Sequence, residues 1–223
     1  LMENSHDTRV KRAPRSLLLK VALSLTAFVG LCVLIDALFF ANEASLMREG
    51  GGLELSAAIL FAATAVVFIV IVPRVHWVEL AQIPILMLLF AMRELDLDKA
   101  FTSSGILSLR FYSGDSSLTA KIIGGAFVGL TLWAMARVVL RGVGPFLRGL
   151  RSGEVWAYMI AIAVFLTFST KMIDGLGRKL APLGIEVSAT VEEWAFIYEE
   201  IGESFIAVFV ILALVDRWKR RAA

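Results

Sequence analysis

Six apolar runs, each about 20 residues or longer, are strung along this chain of 223 residues, and that pattern leaves few ways to fold. Crossing a hydrocarbon core about 30 Å thick takes roughly 20 consecutive apolar residues of α-helix. The runs are Ser16 to Ala41, Leu53 to Val72, His76 to Leu95, Thr119 to Leu140, Glu154 to Asp174 and Val191 to Val215. Backbone amides in lipid find no water, so each run is expected to close its own hydrogen bonds as a helix. The ten-residue alternation of an outer-membrane barrel strand is missing. Composition agrees, with 58% hydrophobic residues and a mean hydropathy of +0.79, above the range of soluble domains.

The expected fold is therefore an all-α integral membrane protein. It is a six-transmembrane-helix bundle over residues 16–217, with basic tails at residues 1–15 and 218–223. The first run follows R-V-K-R-A-P-R and exceeds the roughly 7 to 15 apolar residues of a secretory signal, so it reads as an uncleaved anchor. The longest loops, Asp96 to Leu118 and Gly175 to Thr190, are too short to be domains, and no internal repeat stands out.

Orientation follows from the basic residues. Arg9, Lys11, Arg12 and Arg15 precede the first run, and Arg74 separates the second from the third. Arg141, Arg148 and Arg151 separate the fourth from the fifth, while Arg217, Lys219, Arg220 and Arg221 close the chain. With six spans all four groups share one side, which the positive-inside rule makes cytoplasmic. Both termini are expected there, and the location expected is the inner (cytoplasmic) membrane, multi-pass. The expected partners are the bilayer itself and anionic lipid headgroups facing the short basic tails, where each charge contributes about 1 kcal/mol. A membrane protein partner is a further expectation; nucleic acid is not.

Trp77, Trp156 and Trp218 are expected near the inner interface and Trp194 near the outer one, whereas Trp133 lies outside such a belt. Gly125 and Gly129 form a G-x-x-x-G spacing that suits close packing within the bundle better than a dedicated dimer seam. Cys32, the single cysteine, sits in the first run, where helix packing is its expected role.

Charges inside the runs are the chemically informative residues, because each costs at least about 2.5 to 3.5 kcal/mol in hydrocarbon and needs a partner or a wet cavity. The last run opens V-E-E-W-A-F-I-Y-E-E-I-G-E-S-F. At 100° per residue Glu192, Glu193, Glu199, Glu200 and Glu203 fall on one arc of about 120°. The fifth run answers with Lys171, Asp174 and, if its helix continues past Gly175, Arg178 on a common face. The third run ends R-E-L-D-L-D-K, bringing Arg93 and Glu94, and Asp36 lies near the outer end of the first. The expectation is a cluster toward the non-cytoplasmic side: Asp36, Arg93, Glu94, Asp96, Asp98, Lys171, Asp174, Arg178, Glu199, Glu200 and Glu203. Glu192, Glu193, Asp96 and Asp98 are expected in the headgroup region, and a structural ion-pair network is as well supported for the deeper groups as a functional site.

Several chemistries are set aside. The histidines are His6 and His76, which gives no bis-histidine haem and no histidine-rich zinc site. H-E-x-x-H, C-x-x-C and the phosphate loop are missing. Neither a metal nor a cofactor is expected. Three classes remain. Proton- or cation-coupled transport would use Glu199, Glu203 and Asp174, tuned by Lys171 and Arg93. A membrane-embedded enzyme on phosphate-bearing lipid headgroups would hold the phosphate with Arg93, Lys171 and Arg178. An accessory or assembly subunit of a membrane complex would use the network only to hold its fold. Against transport stands the lack of a span broken at its centre, Pro84 being read as a single kink. The Phe101 to Leu118 loop reads as an interfacial connector, or as a lid.

Overall fold

Helix is the only regular secondary structure in the computed structural model, which describes residues 15–39, 51–97, 105–106 and 108–219. The helices are α1 (Arg15–Phe39), α2 (Gly52–Ile71), α3 (Trp77–Leu80), α4 (Gln82–Glu94), α5 (Leu109–Ser113), α6 (Leu118–Arg151), α7 (Val155–Ile173), α8 (Leu176–Leu180) and α9 (Ala189–Lys219). Among the described residues α1, α2, α6 and α7 are each long and apolar enough to cross a membrane, and the bent pair formed by Arg74–Leu80 and α4 makes a fifth. Asp98 and Lys99 lie outside the described residues, as does much of the 101–107 stretch.

The core forms around α9. Its residues Ile206, Ala207, Val208, Ile211, Leu212, Ala213, Leu214 and Val215 are all buried, as expected of a helix that is apolar all round and wrapped by its neighbours. α7, α2 and α1 pack against it, and α4 lies against α2. Ala57 of α2 and Ala207 of α9 have no exposure at all, so small side chains set the closeness of these helices. By contrast α1 buries only Val29 and exposes Leu19, Leu23, Leu31, Leu34 and Leu38, which is the surface a lipid-facing helix presents.

Two ends of the bundle are chemically distinct. At one, Trp218 packs with Val72 and Trp77, and the Trp156 amide donates to the buried Asp216 carboxylate at 3.0 Å. Arg74 stacks over Trp77 and Arg217 over Trp156, so Trp77, Trp156 and Trp218 gather at one level as amphipathic rings do at an interface. At the other end lie Glu94, Lys171, Glu199, Glu200 and Glu203. Between them Phe61 meets Phe90 edge to face, and Ser56 shares a hydrogen bond with Ser204 at 3.0 Å while donating to the Leu53 carbonyl at 2.7 Å. The two buried hydroxyls thus satisfy each other in the core.

Three expectations change. His76 to Leu95 is not one helix: after a 3₁₀ turn at Arg74–His76, α3 and α4 are bent by 63° around Ala81. Pro84 has no amide hydrogen, so the Leu80 carbonyl loses its helical donor and the chain breaks there. α4 alone has 13 residues, a length of about 20 Å, short of the hydrocarbon thickness. Secondly, α7 stops at Ile173 and does not continue to Arg178, because Gly175 takes a left-handed conformation at φ 59°. Thirdly, Gly125 and Gly129 meet nothing within 4 Å, and it is Gly124 that allows close packing, since a Cβ there would lie 2.9 Å from the Phe111 ring. α5, with Phe111 buried and the Tyr112 hydroxyl donating to the Ile106 carbonyl at 2.8 Å, is the connector that fills this space.

The tightest approach of α7 to α9 is at Gly202, where a Cβ would come 2.4 Å from Cγ2 of the fully buried Thr170. Gly202→Ala is expected to destabilise the bundle by about 1 to 3 kcal/mol through overpacking, read as a lower Tm in detergent. Gly125→Ala, facing open space, is expected to leave Tm unchanged within error.

Candidate functional site

α9 presents glutamates at 199, 200 and 203 because its first four turns carry them on one stripe, and that stripe faces α7 and α4. Antiparallel packing brings Lys171, two residues before the end of α7, level with them. Its ammonium lies 2.6 Å from Glu203 Oε1 and 3.0 Å from Glu199 Oε1, and it reaches Asp174 Oδ2 at 4.0 Å. Lys179, on α8, donates to the Lys171 backbone carbonyl at 2.7 Å, so the Gly175 turn folds a basic residue back over the end of α7. Tyr198 donates to Ser169 at 2.9 Å on the outer side of the same seam.

α4 approaches from the other flank. Arg93 Nη1 lies 3.7 Å from Glu203 Oε1 and 3.8 Å from Glu94 Oε1. Glu94 and Glu203 thus share the Arg93 guanidinium, both of them buried. Glu203 is the hub, 5% exposed and faced by both Lys171 and Arg93. Glu200 is buried beside it, and its Oε2 has no hydrogen-bond partner among the described residues. Glu54 of α2 acts electrostatically on Glu200 together with Glu203 and Glu199, so every near acid adds to the same negative field.

The structure therefore brings together Arg93, Glu94, Lys171, Asp174, Glu199, Glu200 and Glu203. It does not bring in Arg178, whose side chain is 81% exposed and reaches Asp174 at 4.0 Å. Asp36 lies at the α1–α2 junction, where a Cβ on Gly52 would come 2.8 Å from its own Cβ. Asp96 closes the turn after α4 at φ 47°, a left-handed conformation that aspartate tolerates better than most residues. Among the described residues no three His, Cys, Asp or Glu side chains are grouped as a metal ion requires.

One polar constellation escaped sequence reasoning. Arg137 of α6 donates through Nη2 to the Val78 and Glu79 carbonyls at 2.8 and 3.0 Å and through Nε to Gln82 at 3.2 Å. It caps the carbonyls at the end of α3, which an isolated helix end leaves open. Its guanidinium also sits 5.0 Å from the Trp133 ring, which explains a tryptophan that fits no interfacial belt. The available signal was a lone arginine one turn after a tryptophan inside an apolar run, together with Pro84, whose broken helix needs an outside donor.

The chain matches no protein family, no curated protein and no solved structure with which it was compared.

Lys171→Met is expected to cost on the order of 3 to 5 kcal/mol, because it leaves Glu203 and Glu199 charged without their nearest partner. Arg178→Ala, at an exposed pair, is expected to cost under about 1 kcal/mol. Chemical or thermal unfolding in detergent checks both, and equal effects would refute this ordering.

Proposed function

We propose that the chain is a six-span inner-membrane protein with its basic, tryptophan-lined end in the cytoplasm, and that its acidic cluster takes up protons in proton-coupled transport. α9 is the added span. It has 31 residues, and two of the acids in its opening half, Glu199 and Glu203, face Lys171 of α7 and Arg93 of α4 rather than lipid. A charge directed into the bundle does not prevent a helix from crossing.

The observation that carries the proton reading is the buried Glu200, whose Oε2 has no hydrogen-bond partner among the described residues, set within an excess of acids. In the cluster, among the described residues, four glutamates, 94, 199, 200 and 203, stand against two cations, Arg93 and Lys171. Surplus negative charge in a low-dielectric interior is balanced at least cost by protons, since each unpaired ion loses several kcal/mol of hydration. Glu200, with an oxygen that has no partner among the described residues, is positioned to hold one such proton. The third run is interrupted at Ala81, toward its tryptophan end rather than at its centre.

A structural network in an accessory subunit is the second reading. It is favoured by the fact that Arg93, Lys171 and Arg178 each lie within 4.0 Å of a carboxylate. The same fact weighs against a lipid-headgroup enzyme, whose phosphate would have to displace those carboxylates.

Purified protein in liposomes is expected to carry a proton flux, followed with an entrapped pH dye, that Glu203→Gln lowers at least tenfold in protein that still folds. Wild-type flux in Glu203→Gln would sink the transport reading, and protein that folds without any flux would leave the accessory reading standing. The topology is checked separately, by labelling cysteines placed at Ser5 and Ala222 in a Cys32→Ala background. Both are expected to react only from the cytoplasmic side.

A further inference from the structure

α6 is longer than a membrane is thick. Its 34 residues extend about 51 Å, against a hydrocarbon core of about 30 Å, so about 20 Å of helix lies beyond the core. The last 14 steps of the helix, from Arg137 to Arg151, have that length, and they carry an order that is invisible in the linear sequence. With Arg137 at zero, Arg148 falls at about 20°, Arg141 at about 40° and Arg151 at about 320°. Four arginines thus occupy an arc of about 80°. Beside them, between about 240° and 300°, stand Val143, Leu147 and Leu140, all exposed, Leu140 by 83%.

Both ends of this stretch are anchored at the tryptophan end of the bundle. Arg137 caps α3 at the Ala81 break, and Gly149 sits so close to Trp156 that a Cβ would lie 2.6 Å from its ring. The two contacts are about 18 Å apart along the helix axis, so the segment runs across that end rather than into the bundle. Pro145 falls inside it. A proline there deprives the Arg141 carbonyl of its helical donor, which is tolerated where headgroup water supplies another and is expensive in hydrocarbon.

We infer that residues 137–151 form an interfacial helix, seated in an anionic lipid leaflet with Leu140, Val143 and Leu147 in the acyl boundary and Arg141, Arg148 and Arg151 on headgroup phosphates. The partner is lipid because the face is a basic stripe flanking an exposed apolar one, the pattern that binds acidic bilayer surfaces. Guanidinium groups pair with phosphate oxygens through two parallel hydrogen bonds, which makes the stripe a receptor for phosphate esters rather than for the choline ends of zwitterionic lipid. Arg141, Arg148 and Arg151 are all exposed and available, whereas Arg137 is engaged at the break. The inference rests on the membrane reading of the chain and is independent of the proton reading.

The test uses the full chain in nanodiscs of phosphatidylcholine with or without phosphatidylglycerol, with a nitroxide on Leu147→Cys in a Cys32→Ala background. In the anionic discs the label is expected to be reached by oxygen more readily than by a water-soluble nickel chelate. Retention of phosphatidylglycerol on purification is expected to fall roughly fivefold for each of Arg141→Gln, Arg148→Gln and Arg151→Gln, which corresponds to about 1 kcal/mol per residue. High salt is expected to act in the same direction, and the lysine variants to keep most of the binding. A label open to the chelate in both lipids overturns the proposal, and so does one shielded from both quenchers, which would mean that protein covers the face. Unchanged lipid retention in the three glutamine variants overturns it as well. Should one of these variants not fold, the other two give the same reading.

Discussion

The Lys171 ammonium, 2.6 Å from Glu203 and 3.0 Å from Glu199, is the contact on which the acidic end of the bundle depends. Without it two carboxylates of α9 would face each other and Glu94 with only Arg93 to offset them, and α9 would have no reason to lie against α7 at that level. The opposite end is held by a different bond, the Trp156 amide on the Asp216 carboxylate. Fifteen residues separate Trp156 from Lys171 and thirteen separate Glu203 from Asp216, so the two antiparallel helices are pinned in register at both ends of a span of about 20 Å. Fixing register is the best-attested use of buried charge. α2 is tied to the same frame by Ser56 and Ser204, midway in polarity between the salt-bridged end and the aromatic one.

Much of this was legible in the sequence because it depends on period and length alone. Apolar runs located α1, α2, α7 and α9 to within a few residues at each described end, and the 3.6-residue period placed Glu199, Glu200 and Glu203 on one stripe. What stayed hidden depends on backbone geometry or on distant partners. Gly175 signalled a helix end, yet only its left-handed φ sends Arg178 outward, away from the glutamates. Pro84 signalled a kink, but the 63° bend falls at Ala81, where the missing hydrogen bond is felt, and it is held by an arginine 56 residues further on. Gly125 and Gly129 carried the recognisable spacing, whereas their neighbour Gly124, which fits no motif, is touched by α5. Spacing reports which residues share a face and is silent about which face is covered.

The electrostatics of the two ends differ in kind. At the tryptophan end the cations are stacked on rings, Arg74 on Trp77, Arg217 on Trp156 and, further along α6, Arg137 on Trp133. A guanidinium on an aromatic face keeps its edge free for water, backbone carbonyls or phosphate, which suits a boundary layer. At the acidic end the cations Arg93 and Lys171 are paired with carboxylates instead, and among the described residues of the cluster the acids outnumber them. An arrangement selected for rigidity alone would match charges one to one, because an extra buried acid adds desolvation cost without adding a bond. Glu200 adds that cost, which is the reason for preferring a proton-binding role over a purely structural one.

In the proposed function the short helix α4 bears on the side from which a proton would arrive. Counting about 1.5 Å per residue from the break at Ala81, Glu94 stands roughly 20 Å along α4 from the tryptophan end. Beneath it Phe61, Phe90 and Leu212 belong to a continuous apolar core, with Met87 and Leu86 on α4 itself. Above it the cations are only half covered, the Arg93 side chain being 51% and the Lys171 side chain 37% exposed, while Glu203 beneath them is 7% exposed at its side chain. In the proposed function, exchange with the acidic side is therefore the short path and needs only the two flexible cations to move. Passage to the other side needs the apolar layer to open, and an element there with a break already built into it is the α3–α4 bend, where Arg137 holds the Val78 and Glu79 carbonyls.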